Sequence, residues 1–457
     1  MRTGKAVVSS GVSIITSFAL FGVAVLLALR TLRSTRLSLG LPFAYLVLLS
    51  IEHLPGAYAH LVRPDLFYTT GYVAAGVWQT AIGSMCFVAG LSIARSRQHA
   101  ISKKLALPYP LATNPISVPL DRKFWLFCLF GGWIFIYGLT PLRSYASLGA
   151  IVEKGGGIWM LGTLLGLRDA LSKRDIRSGV LWLVALLVYP MLTLIFGGFL
   201  SFGTVAAVVA VSGLAVSARR LRHVVISLAI ILPVILTIFV NYFIARDQIR
   251  AVTWSSASFS QRVDTLVDVF TKMERLNLSN VLHADALDQR LNQNYFVGLA
   301  AERIDEGLVE LRYGASFYEA AIAVIPRVLW PDKPVFGGSG TIVRDMTGLP
   351  LSANTSWGVG QVMEFYINFG WVSLVLGFVT LGWLIGRLDL LAAIAGRQGD
   401  SRALIVCFLP AVALTQPIVS LVELSGGAFA AYLAAIGWSY AWSEWKGSRR
   451  RRSSSRL

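Results

Sequence analysis

Residues 224–246 read VVISLAIILPVILTIFVNYFIAR, an apolar run that ends in an arginine. A run of about 20 apolar residues is long enough to cross the hydrocarbon core of a bilayer as a helix. Such runs recur along the 457 residues, of which 55% are hydrophobic and only 14% are charged. The runs lack the polar alternation of a membrane β-barrel. The sequence therefore predicts an all-α, polytopic membrane protein.

The apolar runs predict about eleven spans. They lie near residues 8–29, 37–56, 70–93, 124–143, 156–172, 179–199, 202–218, 224–245, 370–391, 403–422 and 424–444. Most of the Lys and Arg residues fall in alternate connections, near residues 30–36, 95–123, 168–177, 219–222 and 387–402 and in the C-terminal tail. The positive-inside rule makes these connections cytoplasmic, so we expect the long segment between the eighth and ninth spans to lie outside.

This pattern divides the chain into four regions. They are an N-terminal bundle of about eight spans at 1–245, a large extracytoplasmic segment at 246–369, about three C-terminal spans at 370–445 and a basic cytoplasmic tail at 446–457. The formal charge of +17 comes largely from the connections and the tail. Because signatures of nucleic-acid binding are missing, we expect no nucleic-acid partner. The five histidines are scattered, which argues against a bound metal.

The outer segment is too long for a bare loop, so we expect it to contain helices of its own. Apolar residues recur at helical spacing after Ser260, which is a plausible N-cap. Ile304, Leu308 and Leu311 repeat that spacing. Residues 317–325 form a short apolar stretch that ends before Pro326, and we interpret it as a helix that dips into the outer leaflet or packs on the bundle.

Three residues near the start of the outer segment share one helix face. Tyr242, Arg246 and Arg250 are four residues apart, a spacing that places side chains on the same face. One interpretation is that the arginines extend to lipid headgroups. The other is that they form a cationic wall for a pyrophosphate, which the planar fork of arginine suits.

A proline-rich turn carries further charges. Residues 326–334 read PRVLWPDKP, and its prolines fix the backbone and remove amide donors. Arg327 and Lys333 would form a preorganised anion site, with Trp330 at the depth of the membrane interface. The simpler interpretation is a rigid turn with incidental charges.

A polar stripe precedes the ninth span. Gln361, Glu364 and Asn368 lie at positions i, i+3 and i+7, with Tyr366 beside them. Ionisable groups at membrane depth are costly, which makes Glu364 a candidate functional residue. The alternative is a salt bridge between Glu364 and one of the arginines.

The stretch PRVLWPDKP at 326–334, followed by GQVMEFYINFG at 360–370, resembles the oligosaccharide repeat-unit polymerases of the Wzy type, the O-antigen polymerases. The multi-span layout with one large outer segment covers nearly the whole chain, whereas the motifs cover about a twentieth of it. Members often have a Gly-Ser-Arg-Gly-like turn between two central spans, where this chain has Gly197, Gly198 and Ser201. A cationic contact in that turn is therefore missing or replaced.

The resemblance implies an enzyme on the outer face of the bacterial cytoplasmic membrane that joins undecaprenyl-diphosphate-linked oligosaccharides. It implies no cofactor, because the bond energy is already in the sugar-diphosphate link. A chain-length regulator and a flippase of the same pathway would be its protein partners.

The residues suit that chemistry in the following roles. The first candidate for the base is Glu364 and the second is Asp332. The candidate catalytic cation is Arg327. The candidate ligands for diphosphate or sugar are Arg246, Arg250, Lys333, Arg344, Tyr366, Asn368, Trp330 and Gln361.

Three other functions remain open from the sequence. A flippase for the same lipids would need polar groups deep in several spans and an internal repeat. A non-catalytic scaffold for polysaccharide assembly needs neither. A ligase that moves finished polymer to another acceptor is a close enzymatic neighbour of the polymerase.

Overall fold

In the computed structural model the described part of the chain is helical, with no strand among its residues. The described ranges are 2–35, 37–67, 69–96, 122–198, 200–218, 221–327, 329–336, 338–350 and 357–454. The first eight α-helices are α1 (Arg2–Thr35), α2 (Leu41–Val62), α3 (Thr70–Arg95), α4 (Arg122–Trp133), α5 (Ala146–Gly155), α6 (Ile158–Lys173), α7 (Ile176–Gly197) and α8 (Ser201–Ser217). A π-helix (Ile134–Gly138) and a 3₁₀-helix (Thr140–Ser144) connect α4 to α5.

The remaining helices include six short ones between two long ones. They are α9 (Leu221–Thr253), α10 (Phe259–Thr271), α11 (Val281–Arg290), α12 (Gln293–Asp305), α13 (Ala315–Ala323), α14 (Ser339–Thr347), α15 (Gln361–Phe369), α16 (Trp371–Gln398), α17 (Ser401–Leu414) and α18 (Leu421–Ser454). We call the residues from 254 to 369 the connecting segment, and the end of the bundle that they cover the segment side.

Six stretches in the described ranges are long and apolar enough to cross a membrane. They are Ser10–Ser34, Thr70–Arg95, Ile176–Gly197, Ala229–Thr253, Trp371–Gln398 and Leu421–Ser448. The chain is therefore a multi-pass helical membrane protein by the length and composition of its helices. The other five predicted spans overlap α2, α4, α6, α8 and α17, which are shorter or more polar. A total of eleven spans stays a prediction.

The connecting segment packs into the bundle rather than standing apart from it. Helix α12 lies so close to α3 that a Cβ atom at Gly76 would be 2.1 Å from the Asn294 carbonyl oxygen. A Cβ atom at Gly298 would be 1.9 Å from the Tyr72 carbonyl oxygen. Glycine at both positions permits this close approach, which fixes α12 against the first turns of α3.

Two details of the predicted segment helices are wrong. The N-cap of α10 is Ser258 rather than Ser260, because Ser258 and Gln261 form a reciprocal capping box. The pattern of Ile304, Leu308 and Leu311 does not form one helix, because α12 ends at Asp305 and Gly307 adopts a left-handed φ of 70°. The short helix before Pro326 is present as α13, and it packs on α18, where the Ser425 hydroxyl donates to the Ala320 carbonyl.

A buried carboxylate organises the side opposite the connecting segment. Asp389 of α16 accepts hydrogen bonds from the Ser38 hydroxyl at 2.7 Å and from the backbone N–H groups of Leu39 and Leu41 at 2.9 and 3.2 Å. It also forms an ion pair with Arg95 of α3. One side chain thus joins the α1–α2 turn to the ends of α3 and α16.

Arg168 of α6 completes this arrangement. It donates to the carbonyl oxygens of Ser38 and Gly213 at 2.9 and 2.7 Å. Arg95 and Arg168, which fall in the predicted connections at 95–123 and 168–177, are both buried. Their meeting with the α1–α2 turn agrees with the grouping of these connections on one side of the membrane.

We expect the Asp389→Asn substitution to lower stability strongly, because it leaves Arg95 buried without a charged partner. Breaking a buried ion pair typically costs about 3–5 kcal/mol. Thermal unfolding of the detergent-purified protein measures the effect. The control is Asp169→Asn. Asp169 pairs with Lys173, which is mostly exposed, and the loss of such a surface ion pair costs at most about 1 kcal/mol. Equal melting temperatures for the two variants would contradict the assigned role of Asp389.

The topology is testable with single cysteines in a chain whose native cysteines, Cys86, Cys128 and Cys407, are replaced by alanine. Ser279 in the connecting segment and Ser172 at the end of α6 are both exposed. We expect an impermeant thiol reagent to label a cysteine at position 279 in intact cells and one at position 172 only after permeabilisation. The reverse pattern would invert the assigned sides.

Candidate functional site

Helix α9 carries Tyr242, Arg246 and Arg250 close to its C-terminal end, where the connecting segment begins. The helix continues to Thr253, so the boundary predicted at residue 245 falls within it. The Tyr242 hydroxyl donates to the Gly198 carbonyl at 2.7 Å. This contact binds α9 to the end of α7 and orients the face that carries both arginines.

A third arginine, which sequence analysis missed, lies beside them. Arg290 ends α11, and its guanidinium lies 5.5 Å from the centre of the Phe243 ring and 5.0 Å from that of Trp357. Arg246 lies 5.0 Å from the same Phe243 ring. Aromatic faces attract cations at these distances, so Phe243 holds two guanidinium groups near each other. We call Arg246, Arg250 and Arg290 the arginine cluster.

Two members of the cluster, Arg246 and Arg290, have little negative charge close to them among the described residues. Arg246 lies 3.3 Å from Asp247, whose side chain is 89% exposed and hence well screened by solvent. Arg290 has no hydrogen bond or ion pair to any described residue, and it is half-buried. Burial, followed by repulsion from Arg246 and Arg250, lowers the pKa of Arg290. An anion in this position would relieve the repulsion, and both a diphosphate and a lipid headgroup supply one.

The turn after α7 meets the same cluster. Gly198 has a left-handed φ of 69°, and a Cβ atom there would lie 3.2 Å from Cγ of Arg250. The Trp254 indole donates to the Gly197 carbonyl at 3.2 Å. A cationic side chain from α9 therefore reaches the turn that lacks an arginine of its own.

The predicted polar stripe on α15 is buried, and two of its members bind other parts of the chain. Gln361 accepts from the Tyr45 hydroxyl at 2.7 Å and donates to the Gln416 carbonyl at 2.7 Å. Asn368 accepts from the backbone N–H of Gly314 at 3.1 Å. Both side chains are fully buried, and their assignment as substrate ligands stays a prediction.

Glu364 combines a bound oxygen with an unbound one. Its Oε2 accepts from the backbone N–H of Leu421 at 2.6 Å, whereas its Oε1 has no hydrogen-bond partner among the described residues. The buried Ser316 hydroxyl lies beside the carboxyl group but without the geometry of a hydrogen bond. The proposed salt bridge to Glu364 is not present in the described part of the chain, since the nearby Arg312 pairs with Glu319 at 2.7 Å.

Burial dominates the electrostatics of Glu364. It raises the pKa of this carboxyl group from 4.5 to about 8, against the opposing effects of the Leu421 N–H, Ser316 and Arg312. A carboxyl group with such a pKa exchanges its proton near neutral pH, as a general base or acid does. It is fully buried, so a substrate reaches it only if the neighbouring helices move.

The proline-rich turn is closed by its own cations. Arg327 donates to the Lys333 carbonyl at 3.0 Å, and the Lys333 ammonium donates to the carbonyls of Ala323 and Ile325 at 3.2 and 2.8 Å. These bonds favour the simpler interpretation of a rigid turn. Asp332 is exposed.

The remaining predicted ligands lie on separate elements. Arg344 is on α14, where it approaches Asp345 at 3.4 Å. Tyr366 is buried on α15 and packs edge-on against Trp371 with ring centres 5.8 Å apart. Trp330, at 37% exposure, lies in the proline-rich turn. Two of the predicted site residues, Arg246 and Arg250, lie together with Arg290 in the arginine cluster.

Trp357 links the arginine cluster to the helix that carries Glu364. It contacts Arg290 and precedes Gln361, the first residue of α15, by four positions. Four residues of extended chain span at most about 14 Å. The arginine cluster and the start of α15 therefore lie on the same side of the bundle.

No protein-family model, no curated protein and no solved structure matches the chain. Within the described ranges, no group of three or more His, Cys, Asp or Glu side chains is arranged to hold a metal ion. The interpretation of the site therefore rests on its own geometry.

We expect Glu364→Ala to destabilise the protein more than Glu364→Gln. Glutamine retains an oxygen that accepts from the Leu421 N–H, whereas alanine leaves this buried donor without a partner. An unsatisfied buried donor costs about 1–3 kcal/mol. Thermal unfolding in detergent compares the two variants, and equal losses would show that the hydrogen bond to Leu421 does not stabilise the fold.

The pH dependence of stability gives an independent measurement. Because folding raises the pKa of Glu364 to about 8, the folded state holds its proton more tightly than the unfolded state. The corresponding stabilisation is fully present below about pH 4.5 and is lost as the pH rises through 8. We expect the melting temperature of the wild type to fall more steeply between pH 5 and pH 8.5 than that of Glu364→Gln. Parallel curves would contradict the raised pKa.

Proposed function

We propose that the chain is a membrane glycosyltransferase that polymerises oligosaccharides carried on a lipid diphosphate. The observation that carries this proposal is the arginine cluster, in which three partly buried guanidinium groups converge beside aromatic rings at the end of a candidate membrane span. The Wzy-type resemblance of residues 326–334 and 360–370 supports the same assignment from the sequence.

The reaction would use the cluster to stabilise the leaving group. The bond between the anomeric carbon and the diphosphate oxygen breaks, and a bond from that carbon to a hydroxyl oxygen of the acceptor sugar forms. The diphosphate leaves with the bonding electron pair, and the planar forks of arginine bind its oxygens in pairs. Cations already held in place stabilise charge that develops in the transition state. The sugar-diphosphate link supplies the bond energy, so the step needs no nucleotide.

The proton of the acceptor hydroxyl requires a base, and Glu364 is the first candidate. Its raised pKa suits proton transfer near neutral pH, and its Oε1 has no partner among the described residues. Because Glu364 is buried beside Ser316, this role requires that α13 moves to admit the acceptor. Asp332 is exposed and remains the second candidate.

The substrates would be undecaprenyl-diphosphate-linked oligosaccharides, which reach the site from the outer leaflet of the bacterial cytoplasmic membrane. In this proposal the segment side faces outward and the C-terminal tail of α18 lies in the cytoplasm. A flippase that delivers the lipid-linked units and a regulator of chain length would act beside the polymerase.

Turnover of lipid-linked repeat units by the purified protein tests the proposal. We expect longer glycans and free lipid diphosphate to appear together, with activity unaffected by metal chelators. Arg290→Ala should lower the rate by about 10²–10³-fold, the usual effect of removing one group that stabilises transition-state charge. Arg290→Lys should recover part of the rate, because lysine keeps the charge but lacks the fork.

The matched control is Arg275→Ala, since Arg275 is an exposed arginine of the connecting segment that should leave the rate unchanged. Translocation of the lipid-linked unit without bond formation would identify a flippase instead. Transfer of finished polymer to a different acceptor would identify a ligase, and the absence of both translocation and transfer would leave the scaffold.

A further inference from the structure

The helix that carries Arg290 is bound to α2 on both sides of that residue. Two positions before Arg290, Oδ1 of Asp288 lies 2.7 Å from Nε2 of His60. One position after it, the Leu291 carbonyl accepts from the backbone N–H of Gly56 at 3.0 Å. The Asn292 amide also donates to Oδ1 of Asp288 at 2.6 Å. These bonds fix the end of α11 against α2.

His60 is itself held in one orientation. It is fully buried, its ring stacks on Phe67 with centres 4.1 Å apart, and its Nδ1 lies 3.3 Å from the Thr70 hydroxyl. The contact between α2 and α11 is close, since a Cβ atom at Gly56 would lie 2.2 Å from Cβ of Asn292. A buried, stacked histidine is thus a rigid support for Asp288.

Arg290 needs such support, because its position is electrostatically unfavourable in the absence of an anion. Arg246 and Arg250 repel it, and the acidic Asp247 is mostly exposed. Asp288 is close to Arg290 in sequence, but its Oδ1 is engaged by His60 and Asn292. The Asp288 carboxylate therefore holds the helix that presents Arg290 without neutralising Arg290 itself.

We propose that His60 and Asp288 are positioning residues that keep Arg290 in the arginine cluster, so that the cluster is preorganised for the diphosphate group. The inference rests on the proposed function in that it takes the cluster as the diphosphate site. It adds a buried pair that touches no substrate and acts only through Arg290. Sites whose charged groups are held by a supporting layer of hydrogen bonds bind with less reorganisation.

The probe is inorganic pyrophosphate, titrated calorimetrically into the full-length purified protein. We expect Asp288→Ala to weaken binding by about tenfold, within the range for residues that share one network. His60→Phe keeps a ring that stacks on Phe67 but removes the donor to Asp288, so it should weaken binding to a similar extent. The control is Asp285→Ala, because Asp285 is an exposed residue of the same helix that accepts only from Gln289 among the described residues.

A double substitution separates positioning from a general structural role. If Asp288 acts through Arg290, then Asp288→Ala should weaken pyrophosphate binding no further in a protein that already carries Arg290→Ala. The same loss in both backgrounds would overturn the inference, as would wild-type affinity in both Asp288→Ala and His60→Phe. Should Asp288→Ala yield too little protein, the same comparison is made with His60→Phe.

The polymerisation assay distinguishes this inference from the proposed function. We expect Asp288→Ala to raise the KM for the lipid-linked donor more than it lowers kcat, with partial rescue in Asp288→Asn, which keeps the accepting oxygen. Pyrophosphate binding that depends on Asp288, in a protein that forms no polymer, would refute the polymerase and leave the positioning role intact. If the protein forms polymer but Asp288→Ala leaves its affinity for pyrophosphate unchanged, the positioning role is refuted and the polymerase assignment stands.

Discussion

Buried carboxylate and amide oxygens that accept backbone N–H groups from other helices hold this bundle together. A helix that begins inside an apolar environment leaves N–H groups without partners, and no water is available there to satisfy them. Asp389 supplies acceptors for Leu39 and Leu41 on one side of the bundle. Glu364 supplies an acceptor for Leu421 on the other side. The carboxyl groups of Asp389 and Glu364 thus each accept from the start of a helix, at opposite ends of the bundle.

This similarity bears on the role of Glu364. A carboxylate that caps a helix has a sufficient structural reason to be present, because it also interacts favourably with the positive end of the helix dipole. Asp389 is surrounded by donors, with Ser38, Arg95 and two backbone N–H groups around it. Glu364 differs, since its Oε1 has no partner in the described structure and burial raises its pKa. The unsatisfied oxygen, rather than the presence of an acid, is what keeps a catalytic role open.

The features that the sequence predicted well are those set by local periodicity. Six of the eleven spans predicted from apolar runs coincide with helices long and apolar enough to cross a membrane. Four-residue spacing placed Tyr242, Arg246 and Arg250 on one helix. The short helix predicted to end before Pro326 ends at Ala323, the last residue of α13. These properties depend on neighbours within a few turns of the chain, so a single sequence contains them.

The features that it missed depend on contacts between distant parts of the chain. Arg290 joins the cluster only because α11 folds back on α2 and α9, through contacts such as that of Asp288 with His60 across 228 positions. In the same way, Arg95 pairs with Asp389 and Arg168 donates to the Ser38 carbonyl, contacts that join residues far apart in the sequence. No periodicity of the chain encodes these pairings, and the burial of the α15 stripe follows from the same kind of long-range packing.

The two sides of the bundle use arginine in opposite ways. On the side of Asp389, the buried arginines Arg95 and Arg168 donate to a carboxylate and to backbone carbonyls, so their charge is engaged within the fold. On the segment side, Arg246 and Arg290 lie over the ring of Phe243. A ring attracts a cation but brings no negative charge to offset the repulsion between the two. Asp389 and Glu364 accept hydrogen bonds at helix ends, whereas the end of α9 presents a cationic surface. A phosphate-bearing ligand would complete that arrangement.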